Sequence, residues 1–184
     1  MPRYVLSARL LHWLMALGFG FMWLCGYAMG SLVAEDGPWE EILMGLHISG
    51  GVTLLGLLVL RIGIRLTNRP PALPQGLSPL EKLGSHLGHL ALYLLPLAVI
   101  VLGWAEADFG GHGVHWFSFA MPKVFPTMEM WGTINVEDLA DTLHTYLAYL
   151  MLAVAVVHVA AVVKHRWFDG HDVLGRMGFG RPKE

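Results

Sequence analysis

The chain has 184 residues, 55% of them hydrophobic and only 14% charged, with a formal net charge of −2. A soluble domain of this size carries about one quarter charged residues, so the composition excludes an ordinary soluble enzyme and points to a chain built for lipid. No phosphate-binding or dinucleotide fingerprint occurs, and no nucleic-acid partner is expected.

Four apolar stretches follow one another at about 9–33, 43–66, 84–105 and 137–164. Each reaches the ~20 residues that cross a hydrocarbon core of about 30 Å. The first opens on His12-Trp13 and is too long for the apolar core of a signal peptide, so it is expected to be a permanent span. It holds the single Cys25, which has no partner for an internal disulfide and reads as a small buried hydrophobe. No Cys-x-x-Cys-His occurs, which excludes covalent haem attachment of the c type. The second span carries His47 among Gly45, Gly50 and Gly51, and ends on Arg61 and Arg65. Arg69-Pro70-Pro71 with Pro74 and Pro79 then reads as an extended loop. Ser78 and Glu81 have the spacing of a capping box that starts the third helix, which opens with His86-Leu-Gly-His89. A long connection at about 106–136 contains the aromatic stretch from His115 to Met121, expected to lie at a membrane interface. The fourth span carries His144 and His158 and ends on Lys164-His165-Arg166. The expected fold is an all-α integral membrane protein, a four-transmembrane-helix bundle forming one domain over residues 1–184.

Charge orients the bundle. Eleven of the twelve lysines and arginines flank the start of span 1, the 2–3 connection and the end of span 4, and Lys123 alone lies on the other side. The positive-inside rule then places both termini in the cytoplasm. The opposite face carries Glu35, Asp36, Glu40, Glu41, Glu106, Asp108, Glu129, Glu137, Asp138 and Asp141, and is acidic.

His12, His47, His144 and His158 sit inside these spans, where an imidazole is costly and marks a functional site. His144 and His158 are two heptads apart, which on a helix is roughly 21 Å of rise and some 40° of rotation. One helix thus offers one histidine to each leaflet on the same face. Depth pairs His47 with His144 on the outer side and His12 with His158 on the inner side. Each pair can clamp one haem iron from both axial directions, an arrangement without an open coordination position that suits electron transfer. By depth alone, His89 competes with His12 for the inner site. The glycines near His47, and Gly18 and Gly20 after His12, suit close approach of a flat macrocycle and equally suit ordinary helix packing. His112, His115, His165 and His171 are read as loop or interface residues.

Taken together, Arg9-Leu-Leu-His12-Trp13, Gly45-Leu-His47-Ile-Ser-Gly-Gly51, Arg61-Ile-Gly-Ile-Arg65, His86-Leu-Gly-His89 with Leu90-Ala-Leu-Tyr93, Leu143-His144, His158, Lys164-His165-Arg166-Trp167-Phe168 and Leu174-Gly-Arg-Met177 resemble the bacterial cytochrome b561 family. No single piece is specific, but their order and spacing are, and they cover essentially the whole chain. The resemblance implies a bacterial inner-membrane protein with two b haems, held by His12 with His158 and by His47 with His144, and ubiquinone as an electron partner. It thereby favours His12 over His89. One member type takes electrons from superoxide and passes them to ubiquinone; others are cytochrome subunits or use other donors.

A quinone on the cytoplasmic side needs hydrogen-bonding groups at the inner end, where His89, Lys164, His165 and Trp13 lie; Lys164 and His165 suit interfacial anchoring or a haem propionate equally. An anionic donor such as superoxide is best steered by positive charge, and Lys123, with His112 and His115, is the only such group outside. The acidic outer face suits a basic redox protein instead. The main alternative is a membrane-anchor cytochrome subunit that exchanges electrons with a partner protein and has no catalysis of its own. Reporter fusions at the C-terminus are expected to register as cytoplasmic; a periplasmic signal would contradict the topology and exchange the inner and outer histidine pairs.

Overall fold

The computed structural model describes residues 3–178. It contains four long helices, α1 (Leu6–Ser31), α2 (Pro38–Thr67), α3 (Pro79–Phe109) and α4 (Val136–Trp167), and a short α5 (Val173–Met177). All four long helices are long and apolar enough to cross a membrane. α2, α3 and α4 run past their apolar stretches at both ends, and side-chain caps hold the starts of α3 and α4. Ser78 Oγ accepts from the Glu81 amide at 3.3 Å while the Glu81 carboxylate accepts from the Ser78 amide at 2.9 Å, so the capping box that starts α3 is formed. Asn135 caps α4 by accepting from the Asp138 amide at 3.1 Å. At the start of α2, Pro38 occupies the first turn and Glu40 and Glu41 lie against the positive end of the helix dipole.

Side chains such as Leu17, Leu24, Leu66, Val157 and Val159 are well exposed. In water that surface would be strongly unfavourable; in lipid it is the surface a spanning helix needs, since the backbone polar groups are satisfied within each helix. The protein interior is correspondingly small, centred on Met15, Leu54 and Leu58 with Phe19, Met22, Tyr93 and Ile100 around them.

Packing is uneven. α1 runs along α2, and α3 runs along α4, whereas α2 meets α3 only sparsely and α1 barely meets α4. The α1/α2 seam uses glycine for close approach: Gly18 faces the Leu54 side chain and Gly50 faces Met22. The bundle is therefore two tight helix pairs with a looser seam between them.

The two ends are finished differently. At one end lies the long α3–α4 connection, here called the hairpin end. It forms two small antiparallel hairpins, β1 (His115–Trp116) with β2 (Phe119–Ala120), and β3 (Met130–Trp131) with β4 (Ile134–Asn135). The first docks on α2: Trp116 Nε1 donates to Thr53 Oγ1 at 3.0 Å and the Phe117 amide donates to Ser49 Oγ at 2.9 Å. Asp108, fully buried at the end of α3, accepts from the amides of Val124 and Phe125 at 2.8 and 2.9 Å and so fixes the return of the chain.

At the terminal end, α5 folds back under the bundle. Trp13 Nε1 donates to the Met177 carbonyl at 3.0 Å, Arg9 Nη1 to Gly178 at 2.9 Å, and Arg176 Nη1 to Ala72 at 2.6 Å. The C-terminal segment thereby ties α1, the α2–α3 loop and α4 together.

Candidate functional site

The site is organised by α4. His144, Met151, His158 and His165 recur every seventh residue, which on an α-helix keeps them on nearly one face. Two of these histidines meet partners across the loose seam between the helix pairs. The rings of His47 on α2 and His144 lie 5.9 Å apart between centroids, and those of His12 on α1 and His158 lie 6.4 Å apart. A third ring, His89 on α3, stands 5.7 Å from His158.

By ring spacing, both cross-seam pairs could hold a metal between them. Metal–imidazole bonds of about 2 Å each place two facing ring centroids roughly 6 Å apart. The chemistry of the ring nitrogens agrees at the hairpin end. His144 Nδ1 donates to the Val99 carbonyl at 2.8 Å, which orients the ring and leaves Nε2 with a free lone pair, the usual state of a metal-binding histidine. His47 Nδ1 is buried beside the Met22 backbone without a hydrogen bond of good geometry, so this ring also keeps a nitrogen uncommitted. Glycines give both rings room: a Cβ at Gly26 would lie 3.6 Å from the His47 ring, and one at Gly103 would lie 3.0 Å from the His144 ring. Gly20 and Gly45, by contrast, face open space. The indole nitrogen of Trp104, next to Gly103, is buried without a partner.

At the terminal end the fit is looser. Arg61 Nη2 approaches His12 Nδ1 at 3.3 Å, and Nη1 donates to the Ala8 carbonyl, one turn before His12, at 3.2 Å. A guanidinium only donates, so His12 Nδ1 is the acceptor in this contact. Metal on Nε2 would move the ring proton to Nδ1 and turn that contact away.

The other residues singled out in the sequence divide into committed and open. Lys164 Nζ lies 2.7 Å from both Glu81 and Asp169, and His165 Nδ1 lies 2.7 Å from Asp169. Glu81, His165 and Asp169 are close enough to share an ion, but the Lys164 ammonium already sits between the two carboxylates. Lys164 and His165 together hold the Asp169 carboxyl below the usual carboxylate range. Trp13 spends its indole N–H on Met177. His89 remains exposed at the mouth of the seam. Lys123 is exposed at the hairpin end, bonded to the Thr127 side chain, with His112 and His115 also exposed.

Arg61, Gly26, Gly103 and Trp104 were not singled out in the sequence as parts of the site. Arg61 had a usable signal, a cation inside an apolar helix, which by itself marks a functional position.

A model of the family described as prokaryotic cytochrome b561 matches residues 3–180. The chain belongs to that family. Cytochrome b561 homolog 2 of Escherichia coli (strain K12) is 33% identical over 176 residues, covering 95% of this chain and 90% of that one. The probable superoxide oxidase CybB of Yersinia pestis is 29% identical over 170 residues, covering 91% and 90% respectively. As a prokaryotic cytochrome b561, the protein is a multi-pass inner-membrane protein of electron transfer that binds haem b.

Replacing Gly103 by Val is expected to push the His144 ring out of place and lower the haem bound per chain, while Gly20→Ala, which faces open space, leaves it unchanged. Pyridine haemochrome assay of the two purified variants reads the difference.

Proposed function

We propose that the protein holds two b haems, one between His47 and His144 and one between His12 and His158, and that it moves electrons between a periplasmic donor and membrane quinone. The observation that carries this reading is the pair of facing imidazole couples, one heptad pair apart on α4, each bridging the seam between the two helix pairs. The haem supplies a one-electron couple; bis-histidine ligation keeps oxygen off the iron.

The helix packing favours His12 over His89 as the second ligand at the terminal end. α3 and α4 lie against each other, so His89 and His158 stand on the same wall. A flat macrocycle between them would have to pry a tight helix pair apart. His12 faces His158 from the opposite wall, and His89 is left to meet a quinone entering from the membrane. The Lys164–Glu81–Asp169–His165 network borders that entrance and offers groups that exchange protons with the cytoplasm.

With the termini cytoplasmic, the hairpin end faces the periplasm. Superoxide is the donor we favour, supported by the name of the Yersinia pestis relative, a probable superoxide oxidase. The reaction balances as two superoxide anions, one quinone and two protons giving two dioxygen molecules and one quinol. Lys123 is the basic side chain that steers superoxide toward the His47/His144 haem. The acidic residues Glu40, Glu41, Glu137 and Asp138 around that end favour a second reading, a basic redox protein as donor.

Stopped-flow reduction of the haem-loaded protein by superoxide tests the donor. The rate is expected to fall several-fold in Lys123→Glu and to fall with rising salt, because steering by an exposed charge is screened over about 10 Å at 0.1 M. Haem that stays oxidised when superoxide is added would remove superoxide as donor.

A further inference from the structure

The two histidine couples lie in opposite electrostatic surroundings. At the terminal end, Arg61 reaches across the seam. Besides His12 and the Ala8 carbonyl, it places its guanidinium carbon 5.8 Å from the Tyr93 ring centroid, and its charge also bears on His89 and His158. No carboxylate pairs with it among the described residues; of the acids at that end, Glu81 and Asp169 are engaged by Lys164 and Asp172 by Arg166.

At the hairpin end the sign is reversed. Asp141 lies one turn before His144 on α4 and Glu137 two turns before it. Glu106 lies one turn beyond Gly103, the residue whose backbone faces the His144 ring. Among the described residues, no lysine or arginine forms an ion pair with any of the three.

We propose that this asymmetry makes the His12/His158 site the stronger electron acceptor of the two, with Arg61 as the positioning residue that raises its electron affinity and Glu137 and Asp141 lowering that of the His47/His144 site. The inference rests on the two-haem reading above and adds a direction to it. Adding an electron lowers the charge of a site by one, which a fixed cation nearby stabilises and fixed anions oppose. Inside a span that effect is poorly screened by solvent and salt. When metal binding moves a proton onto His12 Nδ1, Arg61 releases that nitrogen but keeps the Ala8 carbonyl and the Tyr93 face, so its charge stays at the site. With haem held at both sites, one electron would pass from the one held by His47 and His144 to the one held by His12 and His158. No bond forms or breaks, and no proton is needed.

Redox titration of the purified, haem-loaded protein, followed by its visible spectrum, tests the proposal. His47→Ala, which keeps only the terminal-end haem, assigns the potentials. The higher potential is expected to belong to that haem. Arg61→Gln should lower its electron affinity on the order of tenfold, which is about 59 mV for a one-electron couple, and leave the other haem unmoved. Arg61→Lys should retain most of the wild-type value. If Arg61→Gln does not fold, Glu137→Gln and Asp141→Asn carry the test by raising the lower potential. A higher potential at the His47/His144 site, or potentials that ignore all of these substitutions, would overturn the proposal while leaving two haems in place. Iron content of one haem per chain, measured before any titration, would instead overturn the two-haem reading and the inference with it.

Discussion

Everything in this molecule turns on what can be put between two imidazoles that face each other across a loose seam. Helices in lipid gain nothing from hiding leucine from water, because the lipid is as apolar as leucine. They associate through close packing and polar contacts. In this chain close packing builds two separate pairs, with Gly18 against Leu54 and Gly50 against Met22 sealing one of them. Between the pairs the direct contacts are sparse. Four histidines meet across that space in two couples, and on the reading proposed above a haem held by each couple would join the two halves of the bundle.

The ends of the bundle serve this arrangement. Asp108 is fully buried and spends one carboxylate oxygen on two backbone amides of the returning loop. An unmet buried polar group costs about 1–3 kcal/mol, so those amides and that oxygen depend on each other. The first hairpin is pinned to Ser49 and Thr53, within two turns of His47 on α2. At the other end, α5 holds Arg9 and Trp13, which flank His12, through the carbonyls of Gly178 and Met177. The loops thus fix the helices that carry the four histidines, and rigid elements hold such groups more accurately than loops do.

The helices were legible because crossing a bilayer demands a length and a composition that no other structure needs. The two-heptad spacing from His144 to His158 was legible because helical periodicity converts spacing into a shared face. The hairpins were not. Strands of two residues leave no alternating pattern, and the turn at Phe117 places a non-glycine residue at φ 51°, where nothing in its type announces it. The extension of α3 through Asp108 was likewise hidden, since a buried aspartate reads as a loop residue until its two amide donors are known. Depth could not separate His89 from His12, because both reach His158; which helices pack against each other is tertiary information. Arg61 was counted as one more positive charge at an inner end, and only its approach to His12, Ala8 and Tyr93 shows that it points into the seam.

The central claim is that two haems are held by four particular histidines. Its most direct test is the ratio of haem to polypeptide in the purified protein and in single alanine variants. The account predicts two haems in the parent, loss of one in each of His12→Ala, His47→Ala, His144→Ala and His158→Ala, and no loss in His89→Ala. A parent with one haem per chain, or a His12→Ala variant that keeps both while His89→Ala loses one, would contradict it.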